Sequence, residues 1–201
     1  MGEGDTPQEF TRINWIESNR TQYLDLGIMG SNGRHKFAVD MLLPVATNQN
    51  TTVFGCRWDN PAPVRRTGNM YFNQALAHAL WIGTSTGLLS QAHVQNQRFQ
   101  YSMEVDEPKH IVTTDYNGTV RSASFSGSAI TNAPVFLFGA NLNGNVVERG
   151  SFRIFGFQIW KDGEFFRDLV PVLDVNGEAL MYCKASQQAY YNQGSGAFAW
   201  G

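Results

Sequence analysis

Phe37-Ala38-Val39-Asp40-Met41-Leu42-Leu43 decides the fold class, because Phe37, Val39, Met41 and Leu43 fall on one side of an extended chain and Ala38, Asp40 and Leu42 on the other. The same period of two recurs where Tyr101, Met103 and Val105 alternate with Ser102, Glu104 and Asp106. A helix needs apolar residues every three or four positions, and amphipathic helical spacing is hard to find anywhere in the chain. Both runs therefore read as half-buried strands with one face in a core. Working outward, further strands are predicted over 52–58, 70–73, 80–83, 110–115, 119–125, 135–140 and 151–160. In the last of these the apolar phase slips between Ile154 and Phe155, which predicts a β-bulge near Gly156.

The punctuation agrees with strands. Asp115-Tyr116-Asn117-Gly118 and Lys161-Asp162-Gly163-Glu164 hold the Asn-Gly and Asp-Gly pairs that accept positive φ, so each is expected to close a hairpin. Asn143-Gly144-Asn145 marks a third turn. The stretch 59–68, with Pro61, Pro63 and the Arg65-Arg66 pair, reads as a long exposed loop, because proline cannot donate to a ladder. No fixed-period repeat is visible, which disfavours a solenoid or propeller.

At 201 residues the chain is sized for one all-β domain spanning 1–201, with residues 1–10 expected as a flexible extension. A net charge of −2, with Lys and Arg scattered, provides no basic stripe for phosphates, so nucleic acid is excluded as a partner. No apolar run is long enough to span a bilayer, and membrane insertion is not expected. Met1-Gly2-Glu3-Gly4-Asp5 lacks the basic and apolar regions of a signal peptide, which predicts either a trimmed chain or release by another route such as phage lysis. Cys56 and Cys183 form no CxxC pair, and whether they join in a disulfide stays open at this stage.

Two segments carry a resemblance to a known family. Ile13-Asn14-Trp15-Ile16-Glu17-Ser18 followed by Thr21-Gln22-Tyr23-Leu24-Asp25-Leu26-Gly27 is similar to the opening of concanavalin A-like, laminin-G-like jelly-roll domains. Near the end, Gly156-Phe157-Gln158-Ile159-Trp160, then Phe166-Arg167-Asp168-Leu169-Val170-Pro171-Val172 and Asp174-Val175-Asn176-Gly177, resemble the closing run of the same family. The two ends bracket almost the whole chain. The resemblance implies a two-sheet antiparallel jelly-roll sandwich of the kind found in phage tail proteins and gut-bacterial surface proteins. It also implies an extracellular, cell-surface or virion location, a glycan or cell-surface polysaccharide as partner, and assembly with other virion or surface-protein domains. The motif residues Arg167, Asp168, Asp174 and Gly177 read as edge and turn chemistry, with Arg167-Asp168 clamping the sandwich edge to the C-terminal hairpin; Glu17 and Asp25 are discounted in the same way.

Constellations that would carry catalysis fall short. β-Glucanases of this fold place carboxylates at even offsets along one strand, whereas in Glu104-Val105-Asp106-Glu107 the third carboxylate sits at an odd offset and Pro108 follows. There is no Gly-x-Ser-x-Gly, and His35, His78, His93 and His110 match no zinc spacing, so solvated or hydrogen-bonded histidines are expected. No cofactor is expected, apart from calcium between loops, for which Asp59, Asn60, Asp115, Asn117, Asn141, Asn143 and Asn145 offer oxygens without a dense acidic motif. The best ligand-suited cluster is Trp58, Tyr71, Asn73, Gln74, His78 and Trp81, with Arg57 and Asn141 adding edge contacts. The expected binding set is thus Arg57, Trp58, Tyr71, Asn73, Trp81 and Asn141, on the hollow face of one sheet; the competing reading buries Trp58 and Trp81 in the core. Three functions stay open: a non-catalytic glycan or host-surface recognition module, a structural spacer that makes protein contacts, and a glycosidase-like enzyme. A spacer would bury Trp15, Trp58, Trp81 and Trp160, whereas a binding module would expose at least one aromatic in a groove.

Overall fold

The computed structural model describes residues 7, 9–28, 32–43, 51–58, 65–72, 77–92, 95–131 and 133–201, which form strands and turns and no helix. The strands in chain order are β1 (Thr11–Arg12), β2 (Ile16–Glu17), β3 (Leu24–Asp25), β4 (Arg34–Leu42), β5 (Thr51–Trp58), β6 (Arg65–Phe72) and β7 (Ala77–Ile82). There follow β8 (Ser85–Ala92), β9 (Arg98–Asp106), β10 (Ile111–Tyr116), β11 (Thr119–Ser124), β12 (Phe136–Leu137) and β13 (Ala140–Leu142). The last six are β14 (Asn145–Val147), β15 (Arg153–Lys161), β16 (Glu164–Leu173), β17 (Ala179–Cys183), β18 (Gln188–Tyr190) and β19 (Ala199–Trp200).

Two sheets form the sandwich. The larger runs β11-β10-β9-β4-β15-β16-β17-β18, with β1 on β16 and β2 joining β15 to β19. The smaller runs β14-β13-β5-β6-β7-β8, with β12 pairing both β3 and β5. The strand ladders are antiparallel except β13 against β5, where Asn141 and Leu142 run parallel to Cys56 and Arg57. The opening segment meets the last strand: β19 pairs β2, and the Asn14 and Trp15 amides donate to the Gly201 carbonyl.

The alternation sets the faces. In β4, His35, Phe37, Val39 and Met41 are buried while Arg34, Lys36, Ala38, Asp40 and Leu42 look outward, and β9 buries Phe99, Tyr101, Met103 and Val105. Between the sheets Phe37 and Phe157 of the larger meet Phe54 of the smaller, with ring centroids 5.3 and 5.2 Å from Phe54. Each such fully buried ring contributes roughly 1.5–3 kcal/mol relative to exposure. A second apolar cluster lies on the outer face of β16 and β17, where Val170, Val172, Leu180 and Tyr182 are covered by Phe10, whose ring is 5.0 Å from that of Tyr182. Phe10, at the end of the expected extension, is therefore packed; its amide also donates to the Pro7 carbonyl.

The register slips between Ile154 and Gly156 against β4, where the phase break predicts a bulge. Both expected hairpins close, β10–β11 with Asn117 and Gly118 at positive φ and β15–β16 with Asp162 and Gly163 likewise. The expected loop over 59–68 is shorter than the sequence implies, because Arg65 and Arg66 already belong to β6 and pair with Trp58 and Arg57; residues 59–64 lie outside the described residues. Strand β8 carries no apolar alternation at all. It is an exposed-to-half-buried edge strand held by backbone pairing to β7, with only Leu88 and Leu89 packed against the core.

Cys56 and Cys183 are free and buried, and burial pushes the Cys56 thiol up to about 11. His35 and His78 are buried rather than solvated, with His78 packed edge-on to Tyr101 at 4.7 Å. The Arg167-Asp168 pair does tie β16 to the C-terminal hairpin: Arg167 Nε donates to the Tyr190 hydroxyl at 2.9 Å, and Asp168 pairs with Lys184 at 3.1 Å. Asp174 accepts the Asn176 and Glu178 amides and closes a turn with Gly177 at φ +77, and these hydrogen bonds hold its carboxyl below the usual range.

Candidate functional site

The outward residues of the larger sheet line up across strands. Asp115 of β10 is opposite Ser102 of β9, Ser102 opposite Ala38 of β4, Ala38 opposite Gln158 of β15, and Gln158 opposite Asp168 of β16. At ~4.8 Å per strand this polar row is about 19 Å long. Ala38 and Gly156 keep its middle low, and the face forms a groove of about 850 Å³. One side rises at the β10–β11 turn with Asn117 and Gly118, the other at Phe10, Arg12 and Lys184, and Phe155 with Arg98 stands at one end.

Internal pairing fixes the groups on the floor. Arg98 donates Nε and a terminal nitrogen to the two oxygens of Asp40, each at 2.7 Å, while its guanidinium lies 3.9 Å from the Phe155 ring centre. Gln158 Nε2 donates to Asp168 Oδ1 at 3.1 Å, on the carboxylate that Lys184 also pairs. Asp115 Oδ1 accepts the Gly118 amide, and Asn117 Oδ1 accepts the Gln100 amide at 2.9 Å, which docks the turn onto β9. Arg12 donates to the Pro171 carbonyl; burial lowers its guanidinium from the ordinary value, opposed by Asp168. Arg12, Arg98 and Lys184 are thus set against Asp40, Asp115 and Asp168, and the groove's formal charges cancel.

Of the six residues singled out from sequence, Arg57, Trp58, Trp81 and Asn141 have described side chains, and none of these four lines this groove. Arg57, Trp58, Tyr71, Trp81 and Asn141 belong to strands of the smaller sheet. Trp58 is half-buried at the end of β5 and packs against the core, and Arg57 beside it is opposite Arg66. Trp81 is half-buried on β7 with the Arg66 guanidinium 5.1 Å from its ring centre. The backbone of Tyr71 pairs opposite Ala79, while Asn73, like Gln74, Asp59 and Asn60, lies outside the described residues. Asn141 is fully buried, donates to the Pro134 carbonyl at 2.9 Å and accepts the Gly144 amide at 2.7 Å, which holds the Asn143-Gly144 turn. Gln100, Ser102 and Gln158, which the sequence reading missed, show only as ordinary outward positions of alternating strands, and Asp168 was read as an edge clamp and not as a groove residue.

The Glu104-Asp106-Glu107 carboxylates divide as the offset predicts. Glu104 and Asp106 face outward and pair with Arg34 at 3.5 and 3.8 Å, and Lys109 at 3.0 Å holds the Asp106 carboxyl below its usual range. Glu107 turns inward and is buried, accepting Ser128 Oγ at 2.8 Å and the Ala129 amide at 3.0 Å. The described residues hold no group of three or more His, Cys, Asp or Glu able to take a metal ion, and no described helix is long and apolar enough to cross a membrane. Trp15, Trp58, Trp81 and Trp160 are half-buried and Trp200 is exposed.

A two-sheet all-β sandwich with a grooved outer face is the jelly-roll, lectin-like architecture, and solved structures bear this out. A "putative carbohydrate binding protein" from Bacteroides ovatus superposes with a TM-score of 0.61 at 9% identity, over 94% of this chain and 59% of that one. The carbohydrate-binding module CBM40 of the Ruminococcus gnavus IT-sialidase, bound to α2,3-sialyllactose, gives a TM-score of 0.54 at 14% identity, over 76% of this chain and 89% of that one. A heptameric SAP-like pentraxin from Limulus polyphemus gives 0.55 at 13% identity, over 77% and 78%. At these identities the likeness is one of fold. No protein-family model matches the sequence, and no curated protein matches it.

Proposed function

We propose that the chain is a glycan-recognition module that binds through the groove on the outer face of its larger sheet, without catalysis, as part of an extracellular, cell-surface or virion protein. The observation that carries this reading is the polar row Asp115, Ser102, Ala38, Gln158 and Asp168 at the bottom of a groove of about 850 Å³. Its volume sits in the upper part of the ~300–1,000 Å³ range of ligand sites. Amides, a hydroxyl and paired carboxylates offer donors and acceptors to sugar hydroxyls, and Phe10 and Phe155 at the rims offer apolar surface to ring faces. Balanced charge suits an uncharged, hydroxyl-rich ligand. The carbohydrate-binding proteins among its structural neighbours support the same class. The non-catalytic reading rests on the carboxylates of the groove, since Asp40, Asp115 and Asp168 are each engaged by a partner within the chain.

The test is a glycan array of the whole chain, with and without calcium, read for the native protein, Gln158→Ala and Trp81→Ala. Gln158→Ala should weaken binding about five-fold, the loss of roughly one hydrogen bond, while Trp81→Ala leaves it unchanged. The reverse outcome moves the site to the smaller sheet, around Arg57, Trp58, Tyr71 and Trp81. No signal from any glycan favours the spacer reading.

A further inference from the structure

The outer face of the larger sheet does not end at the polar row. Two residues further along their strands, Glu104, Lys36 and Trp160 form the next cross-strand row, Lys36 being opposite both Glu104 and Trp160. This row sits about 7 Å from the first. It borders a second hollow of about 240 Å³ lined by Arg34, Lys36, Glu104, Trp160 and Gly163. Above it stands an aromatic pair, Trp160 and Phe165, with ring centroids 5.2 Å apart. Phe165 is 47% exposed at the end of the β15–β16 hairpin, and Lys36 Nζ lies 5.0 Å from the Trp160 ring centre. An exposed aromatic at the mouth of a charged hollow leaves apolar surface in water that the fold itself does not cover.

We infer that Trp160 and Phe165 form an outer subsite for the glycan that occupies the groove, engaged only by chains long enough to leave the polar row. The inference rests on the glycan reading of the groove and adds to it a direction and a length requirement. Continuity argues for this occupant. Gln158 in the groove and Trp160 on the shelf are outward neighbours on one strand, as are Ala38 and Lys36 on β4 and Ser102 and Glu104 on β9. A chain lying along these strands passes from amides and hydroxyl to an aromatic edge without crossing a wall strand. Arg34, Lys36 and Glu104 surround the rings with donors and an acceptor, which suits sugar hydroxyls better than a wholly apolar partner.

The experiment uses the whole chain on an array printed with length series, from disaccharide upward, of glucans, mannans and galactans. Trp160→Ala and Phe165→Ala are compared with the native protein, and sedimentation is run on the same samples. Native signal should rise with chain length. Both variants should lose about ten-fold on the long members, the effect of one half-buried aromatic contact, and nothing on the shortest. Phe165→Ala guards against a folding defect in the Trp160 variant, because Phe165 is so exposed. Variants that match the native protein at every length overturn the subsite and leave the groove standing. Equal loss on short and long members also overturns it, since Trp160 would then serve the groove itself. A concentration-dependent dimer abolished by Phe165→Ala would overturn it in favour of a second copy as the occupant. Native protein silent at all lengths removes the glycan reading, and the subsite with it.

Discussion

Replacing Glu107 by alanine should cost about 3 kcal/mol of stability and leave glycan binding intact. Glu107 follows β9, yet its carboxylate is buried and reaches the segment that packs under the smaller sheet. Ser128 and the Ala129 amide are its donors, and the Ala129 carbonyl in turn accepts the Thr67 hydroxyl of β6. One carboxylate therefore links the two sheets through a single short segment. A hydrogen bond to a charged group contributes about 1.5–3 kcal/mol, and two in one network do not simply add, which sets the total near 3 kcal/mol. The alanine variant leaves the buried Ala129 amide without its acceptor, and a chain of this size loses about 2–4 °C of melting temperature per kcal/mol, so thermal unfolding followed by circular dichroism should shift down by about 6–12 °C. Glu107→Gln keeps one acceptor oxygen and should lose about half as much. A melting temperature within ~2 °C of the native value for Glu107→Ala would refute the clamp, and with it the argument that an odd offset removes this carboxylate from the outer face.

Other perturbations probe the frame around the groove. Burial lowers the His35 pKa from its ordinary 6.5, so the unfolded chain takes up a proton there that the folded chain resists. Stability should therefore fall as pH drops through that value and level off below the folded-state value, and His35→Gln should narrow the difference between melting temperatures at pH 7.5 and 5.5; an unchanged difference would sink the assignment. Asp106 and Asp174, held low by hydrogen bonds, act only in a more acid window. Gly83 sits at φ +57 with a Cβ position that would collide with the Ser126 carbonyl, so Gly83→Ala should cost more than ~2 kcal/mol. Gly87, at φ +70 in open space, should cost only about 1 kcal/mol in the same urea titration, and equal losses at the two sites would contradict the collision.

What was legible in the sequence follows from what alternation encodes. Period two says which residues of one strand share a face, so the core faces of β4 and β9 could be read directly, and a phase break exposed the bulge near Gly156. Turn chemistry located both hairpins because Asn-Gly and Asp-Gly do their work within a few residues. Alternation carries nothing about which strands become neighbours. Asp115, Ser102, Ala38, Gln158 and Asp168 come from three separate parts of the chain, β4, the β9–β10 pair and the β15–β16 hairpin, which meet only through pairing, so no local window contains the groove. Trp58, Tyr71 and Trp81 drew attention by being close in sequence, which is a different property. Strand β8 escaped notice because its residues do not alternate and its order comes largely from backbone pairing to β7, and Arg65 and Arg66 passed for a loop because they follow prolines.

The ion pairs of the groove bear on function because stability explains them poorly. In the pair with Asp40, the Arg98 side chain is 55% exposed, and a pair so placed contributes only about 0–1 kcal/mol. An outward strand position that served the fold alone could hold threonine or valine at no loss. The outer face nearby shows the contrast: where Phe10 covers β16 and β17, the positions are Val170, Val172, Leu180 and Tyr182, apolar because they are covered. On the open floor the same sheet instead presents Asp40, Gln100, Asp115, Gln158 and Asp168, with Asp40 and Asp168 paired to Arg98 and Lys184 and Asp115 accepting the Gly118 amide. Anchoring fixes where the donors and acceptors point, so a ligand meets them without the cost of ordering long side chains. On the proposed glycan reading, this preorganisation is what a sugar chain would meet. Glycan recognition, as proposed, would use this polar floor as it stands.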